Sequence, residues 1–344
     1  MNDIQKLQES GVFLCAEGMR PILAENKSAF KQMAMDADPF NPTSNGVPSI
    51  FTTIYLNTIV DQLLPHRGFF EIADPMQQGD WTTERLEFPV RAISGSMSPY
   101  TDFSNKGKSG VNFTFVPRDV YRMQTTIQYG DLETAVMDSA KLDLVGSKRV
   151  SIAQNVAIAF NRMGFFGNVN PSGTFLSKTY GLLNDPNLNA SVPVANGAAG
   201  SSLWANKTAE EIFADIVGSY ALLENQTGNN VHPNDKFVLA LDGFSSAYLN
   251  KANQYGLTAK MMMKENYPNM RVVVAPEYQT ILGFQLICEE LGGQKAVADL
   301  FTYKYRSHGV MRYDSWFNEK VSAGSAGCGI LLPVAIVTRT GIES

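Results

Sequence analysis

Between Thr82 and Val116 the sequence alternates apolar and polar residues in two separate runs, and that pattern limits the fold more than any other feature. Thr82, Glu84, Leu86, Phe88 and Val90 fall on one side of an extended segment, and Arg85, Glu87 and Arg91 on the other. The run Val111-Asn112-Phe113-Thr114-Phe115-Val116 repeats the period of two, which marks a strand with one apolar face. The stretch between the runs, 95–110, is rich in Gly, Ser, Asn and Lys. Together they predict a long two-stranded arm with a polar tip. An isolated hairpin is marginal in water, and an apolar edge invites association. Such an arm must therefore rest on another surface, of its own chain or of a neighbour. Leu86, Phe88, Val90 and Arg91 on the first strand and Val111, Phe113 and Phe115 on the second are the candidate contact residues, with no obvious cover from their own chain.

The rest of the chain supplies a body for this arm. Residues 1–65 read as an extended tether, with a short amphipathic stretch at 22–35 followed by the breaker cluster Asp38-Pro39-Phe40-Asn41-Pro42-Thr43-Ser44-Asn45-Gly46. From Asp131, a plausible N-cap, to Met163 the breakers are few, and apolar residues step by three or four through Ile152, Val156 and Phe160. If continuous, this is a spine helix of roughly 50 Å, with Ile152, Val156 and Phe160 on its core face and a kink or close crossing expected at Gly146. A helix capped by Asn206 or Thr208 runs to about Glu224, and short strands at 237–241 and 271–275 alternate with helices at 244–253 and 257–266. Further strands are expected at 281–288, 295–301, 309–320 and 330–340, with the small-residue segment Ser322-Ala-Gly-Ser-Ala-Gly-Cys-Gly329 as a flexible connection. The class is α+β.

Chemistry is hard to place on this chain. His66, His232 and His308 are far apart, and Cys15, Cys288 and Cys328 show no CxxC spacing, so neither a metal site nor a disulfide framework is indicated. Gly107-Lys108-Ser109 resembles the end of a phosphate loop, but Asp102 stands where its first glycine belongs and a strand follows instead of a helix. No GxSxG or strand-GxGxxG-helix unit occurs. Neither a catalytic residue nor a cofactor is therefore assigned. Met261, Met262 and Met263 spread around a helix and suit packing better than binding. The net charge of -5 disfavours a dedicated nucleic-acid binder. No apolar run reaches the ~18 residues of a membrane span, and the N-terminus lacks a secretory layout, so the chain is expected in a cytoplasm. Charged residues make up 18%, against about 25% in an average soluble domain, which points to extensive protein interfaces.

The order of hairpin arm, spine helix, inserted α+β unit and returning strands resembles the tailed-phage major capsid protein with the Hong Kong 97-type fold. Local text sharpens the resemblance: Phe165-Phe166-Gly167 after the spine, Tyr180-Gly181-Leu182-Leu183-Asn184-Asp185-Pro186, Lys207-Thr208 with Glu211-Ile212, and the ending Gly329-Ile-Leu-Leu-Pro333 to Thr340-Gly341-Ile342. The resemblance implies an N-terminal arm at 1–65, an E-loop region at 66–118 with the extended arm from about 78, and a P-domain with its spine helix at 119–179. An A-domain follows at 180–305, and C-terminal P-domain strands at 306–344. It further implies self-assembly as hexamers and pentamers into an icosahedral head around double-stranded DNA, in a host bacterial cytoplasm, with the virion shell as destination. Implied partners are other copies of the chain, a separate scaffolding protein, a portal, a decoration or cement protein, and DNA contacted without sequence preference. Lys106 and Lys108 at the polar tip have small polar neighbours, so no covalent cross-link is expected. An encapsulin-like nanocompartment shell shares the fold and is the alternative; a metal-free hydrolase is the alternative from another class.

Overall fold

The computed structural model describes residues 66–344 except 103–106, 140–141, 171–172 and 344. The expected tether 1–65, the stretch 22–35 and Lys106 lie outside the described residues. Helix α1 (Phe69–Ile72) leads into strand β1 (Asp74–Gln77). Strands β2 (Arg85–Ser96) and β3 (Lys108–Asp119) form the arm, and β4 (Tyr121–Gly130) follows directly. Two helices come next, α2 (Asp131–Ser139) and α3 (Leu144–Phe166). After the short β5 (Val192–Pro193), helix α4 (Ala209–Thr227), strand β6 (Phe237–Leu241), helices α5 (Gly243–Tyr248) and α6 (Ala259–Asn266) and strand β7 (Met270–Val274) alternate. Strand β8 (Gly283–Cys288) and the two-residue β9 (Glu290–Leu291) and β10 (Gln294–Lys295) precede the long β11 (Val297–Arg312) and β12 (Trp316–Ile330). Strand β13 (Ile336–Thr340) ends the described chain's regular structure.

Two sheets organise the body. The first has the order β1-β11-β12-β4, with β1 parallel to β11 and the other pairs antiparallel. Helix α3 covers one face, where Phe160 packs with Phe301 and Ala323 and with the half-buried Met123 and Val156. The arm's base covers a second apolar cluster on this sheet, of Ala298, Leu300 and Ala326. The second sheet has the order β5-β13-β8-β6-β7. Strand β6 is buried at every position, as expected of a central strand covered on both faces. The main core joins this sheet to α4 through Ile212, Ile216 and Leu223, and to the end of α3 through Phe165.

Several sequence expectations need correction. The spine is two helices: the first ends at Ser139, and Asp143 starts the second, its side chain accepting the Gly146 amide at 2.8 Å as the N-cap of α3. Gly146 is therefore part of a cap and not a kink; a Cβ there would sit 2.1 Å from Asp143 Oδ2. The remaining helix of 23 residues is roughly 35 Å long. The segment Ser322–Gly329 is buried strand and not a flexible connection. Its residues are small because neighbouring groups crowd the strand: a Cβ on Gly329 would lie 2.6 Å from Leu300 Cδ1 of the paired β11, and one on Gly327 2.4 Å from the Tyr180 carbonyl oxygen. The chain reverses instead at 313–315, inside the strand expected at 309–320. Strand β11 begins at Val297, and β13 pairs with β8 in the other sheet. Helix α4 starts with a full capping box between Thr208 and Glu211, and Gly228 closes it at φ 66.

Candidate functional site

The arm's chemistry follows from its register. Strands β2 and β3 pair over twelve positions, from Arg85 opposite Asp119 to Ser96 opposite Lys108. Residues directly opposite in an antiparallel pair share a face. Leu86, Phe88, Val116, Val90 and Thr114 thus stand on one face, and Pro89, Phe115, Arg91, Phe113, Ile93 and Val111 on the other. The expected contact residues do not form a single apolar surface: Leu86, Phe88 and Val90 point one way, and Val111, Phe113, Phe115 and Arg91 the other.

The two faces have different environments. Leu86 and Phe88 are half-buried against Ala298, Leu300 and Ala326, with Met76 and Val120 beside them. They do have cover from their own chain, contrary to the sequence expectation, because β11 and β12 bring the sheet under the arm's base. Farther out, Val90 is 48% exposed. The opposite face is open along its length, with Ile93 at 76%, Phe113 and Phe115 at 60% each and Val111 at 49% exposure. Arg91, opposite Phe113, is exposed as well.

Polar contacts tie the base down. Asp119 accepts Arg85 Nε at 3.0 Å and the Lys178 amide at 3.0 Å, while its own carbonyl accepts Thr179 Oγ1 at 2.7 Å. Burial works against the Asp119 carboxylate, but the Lys178 amide and Arg85 outweigh it and hold its pKa below the ordinary value. Arg118, one residue earlier, forms a buried ion pair with Asp185 and lies 4.8 Å from the Tyr180 ring. On the other strand's side, Arg122 donates to the carbonyls of Thr82 and Thr83 at 3.1 Å each. None of these base contacts except the paired strands themselves was read from the sequence; Arg118 and Asp185 are 67 residues apart, and no local pattern links them.

The spine residues are placed by α3. Ile152 is 1% and Phe160 2% exposed, and Val156 is half-buried beside Phe160. The Phe160 and Phe301 rings meet edge to face at 6.5 Å, a favourable aromatic geometry. Of the methionine run, Met263 is buried, Met262 half-buried and Met261 exposed. Among the described residues no group of three or more His, Cys, Asp or Glu could hold a metal ion, and no described helix is long and apolar enough to cross a membrane.

Solved structures share this architecture. The capsid of the myovirus phage XM1 superposes with a TM-score of 0.70 at 15% identity, covering 86% of this chain and 98% of that one. The capsid of cyanophage P-SCSP1u gives 0.56 at 13% identity, over 88% and 97%. The capsid of an empty GTA particle gives 0.56 at 12% identity, over 85% and 95%. At these identities the likeness shows the fold, which is the α+β fold of Hong Kong 97-type capsid proteins. No curated protein sequence matches. A family model described as Pa193 gp26 major capsid protein matches residues 38–341. That match favours neither the nanocompartment alternative, since its family is that of a major capsid protein, nor the hydrolase, since that role is structural. With nearly the whole chain matched, the chain belongs to the Pa193 gp26 major capsid protein family and is a structural protein that assembles into a virion shell.

Proposed function

We propose that the chain assembles as hexamers and pentamers into an icosahedral head that encloses double-stranded DNA, with the arm as the main intersubunit element. The observation that carries this reading is the open face of Ile93, Val111, Phe113 and Phe115, four large apolar side chains in one stripe. Fully burying each is worth about 1.5–3 kcal/mol, so the stripe favours a second copy of the chain over water. In this reading Arg91 belongs to the same contact, and the A-domain gathers around the symmetry axes. Small contacts repeated around a closed shell give a container that is far more stable than any single interface. A net charge of -5 suits a wall that confines DNA through scattered basic side chains without gripping it. A separate scaffolding protein, a portal and a decoration protein complete the proposed partners, with assembly in a host bacterial cytoplasm.

Replacement of 92–110 by a short Gly-Ser turn tests the role of the arm. The expected product is a folded subunit that sediments as a small species. Normal shells from this variant would overturn the assignment.

A further inference from the structure

The arm leaves the body at a junction that holds two fully desolvated opposite charges. Arg118 and Asp185 form an ion pair whose side chains are 3% and 0% exposed. Arg118 stands opposite Leu86 at the foot of the arm, and its guanidinium lies 4.8 Å from the Tyr180 ring centroid. Asp185 belongs to a segment fixed from several directions. The Leu182 and Leu183 amides donate to the carbonyls of Gly164 and Phe165 at the end of α3, at 2.8 and 3.0 Å, and the Cys328 amide of β12 donates to the Tyr180 carbonyl at 3.0 Å. Asp185 itself accepts the Asn187 amide at 2.9 Å. One end of the pair is therefore anchored to the body and the other to the lever.

Such a pair is a poor source of stability, because removing two charges from water costs much of what their attraction returns. Its value lies in direction. The apolar contacts of Leu86 and Phe88 on Leu300 and Ala326 are non-directional and tolerate sliding. A planar guanidinium held by a carboxylate and an aromatic ring does not, since a tilt of the arm leaves buried charge unpaired. Ten residues of strand separate Arg118 from Lys108, about 33 Å, so a tilt of about 10° at the base moves the tip by about 6 Å. That is larger than the spacing between neighbouring strands and enough to miss a seat on a neighbouring subunit.

We infer that Arg118 and Asp185 are positioning residues that set the angle of the arm, and through it the curvature and uniformity of the shell. This rests on the reading of the arm as the intersubunit element. The decisive variant replaces both charges with apolar groups, Arg118→Met with Asp185→Leu. Its subunit is expected to melt at or above the parent midpoint, whereas each single change, which strands one buried charge, lowers the midpoint. Cryo-electron microscopy of particles from the double variant is expected to show a broadened diameter distribution and unclosed or irregular shells. Arg118→Lys, which keeps the charge but loses the planar fork, is expected to give an intermediate distribution. A double variant that builds shells of parental diameter and uniformity overturns the inference, as does one that melts as early as the single variants. Failure of the underlying reading is seen separately, as normal shells from the chain whose 92–110 segment is replaced.

Discussion

Replacing Asp299 by Asn should stabilise the subunit in neutral solution and leave it unchanged in acid. Asp299 lies on β11 opposite Cys328 of β12 and Pro75 of β1. It is 1% exposed, and its Oδ2 accepts no hydrogen bond. Burial pushes its pKa from the ordinary 3.8 up to about 6, against the pull of the Lys304 ammonium 3.8 Å away. The folded chain therefore holds this proton more tightly than the unfolded chain does. Below about pH 4 both states are protonated and the residue costs nothing. Between about pH 4 and 6 the unfolded state ionises first, stability falls, and above about pH 6 the full penalty is present. At about 1.4 kcal/mol per pH unit, the gap corresponds to about 3 kcal/mol. Asparagine stands in for the neutral acid at every pH. Thermal melts of parent and Asp299→Asn subunits across pH 4–8 should coincide at the acid end and separate by several degrees at neutral pH. A difference that does not change with pH would refute the reasoning, because it would mean that Asp299 carries no desolvated charge.

Other consequences are as direct. Phe113→Ser with Phe115→Ser removes two exposed rings from the arm, so the subunit's thermal midpoint should hold while sedimentation shows loss of shells. Phe160→Ala empties a site between α3 and the sheet and should destabilise the subunit by about 3–5 kcal/mol in a denaturant titration. Boiled, mature particles should run as a single monomer band on a denaturing gel, because Lys108 is exposed at the start of β3 and an amine that stays in solvent is a poor nucleophile. A ladder of bands that disappears in Lys106→Ala or Lys108→Ala would contradict this.

The sequence made the arm legible because a period of two survives any tertiary context. It did not reveal which residues share a face. Leu86-x-Phe88 and Phe113-x-Phe115 have the same period, but only the pairing of Pro89 with Phe115 and Arg91 with Phe113 turns the second set away from the body. The capping box of α4 was likewise legible, since Thr208 and Glu211 act within one turn. The break between α2 and α3 was hidden because no Gly or Pro stands between Asp131 and Asp143 to separate two helices. Ser322–Gly329 misled for the opposite reason: its composition is that of a loop, and only the closeness of Leu300, Thr302 and the Tyr180 carbonyl in the finished fold explains why small residues line a buried strand. Buried ion pairs such as Arg118 with Asp185 join segments that only the completed fold brings together.

The proposed shell closes by burying the open face of the arm on other copies of the chain. Cryo-electron microscopy of the purified product tests it most directly. Uniform closed particles are expected, with Ile93, Val111, Phe113 and Phe115 set against a neighbouring subunit in the reconstruction. A small soluble species, or shells in which those four side chains remain in solvent, would contradict it.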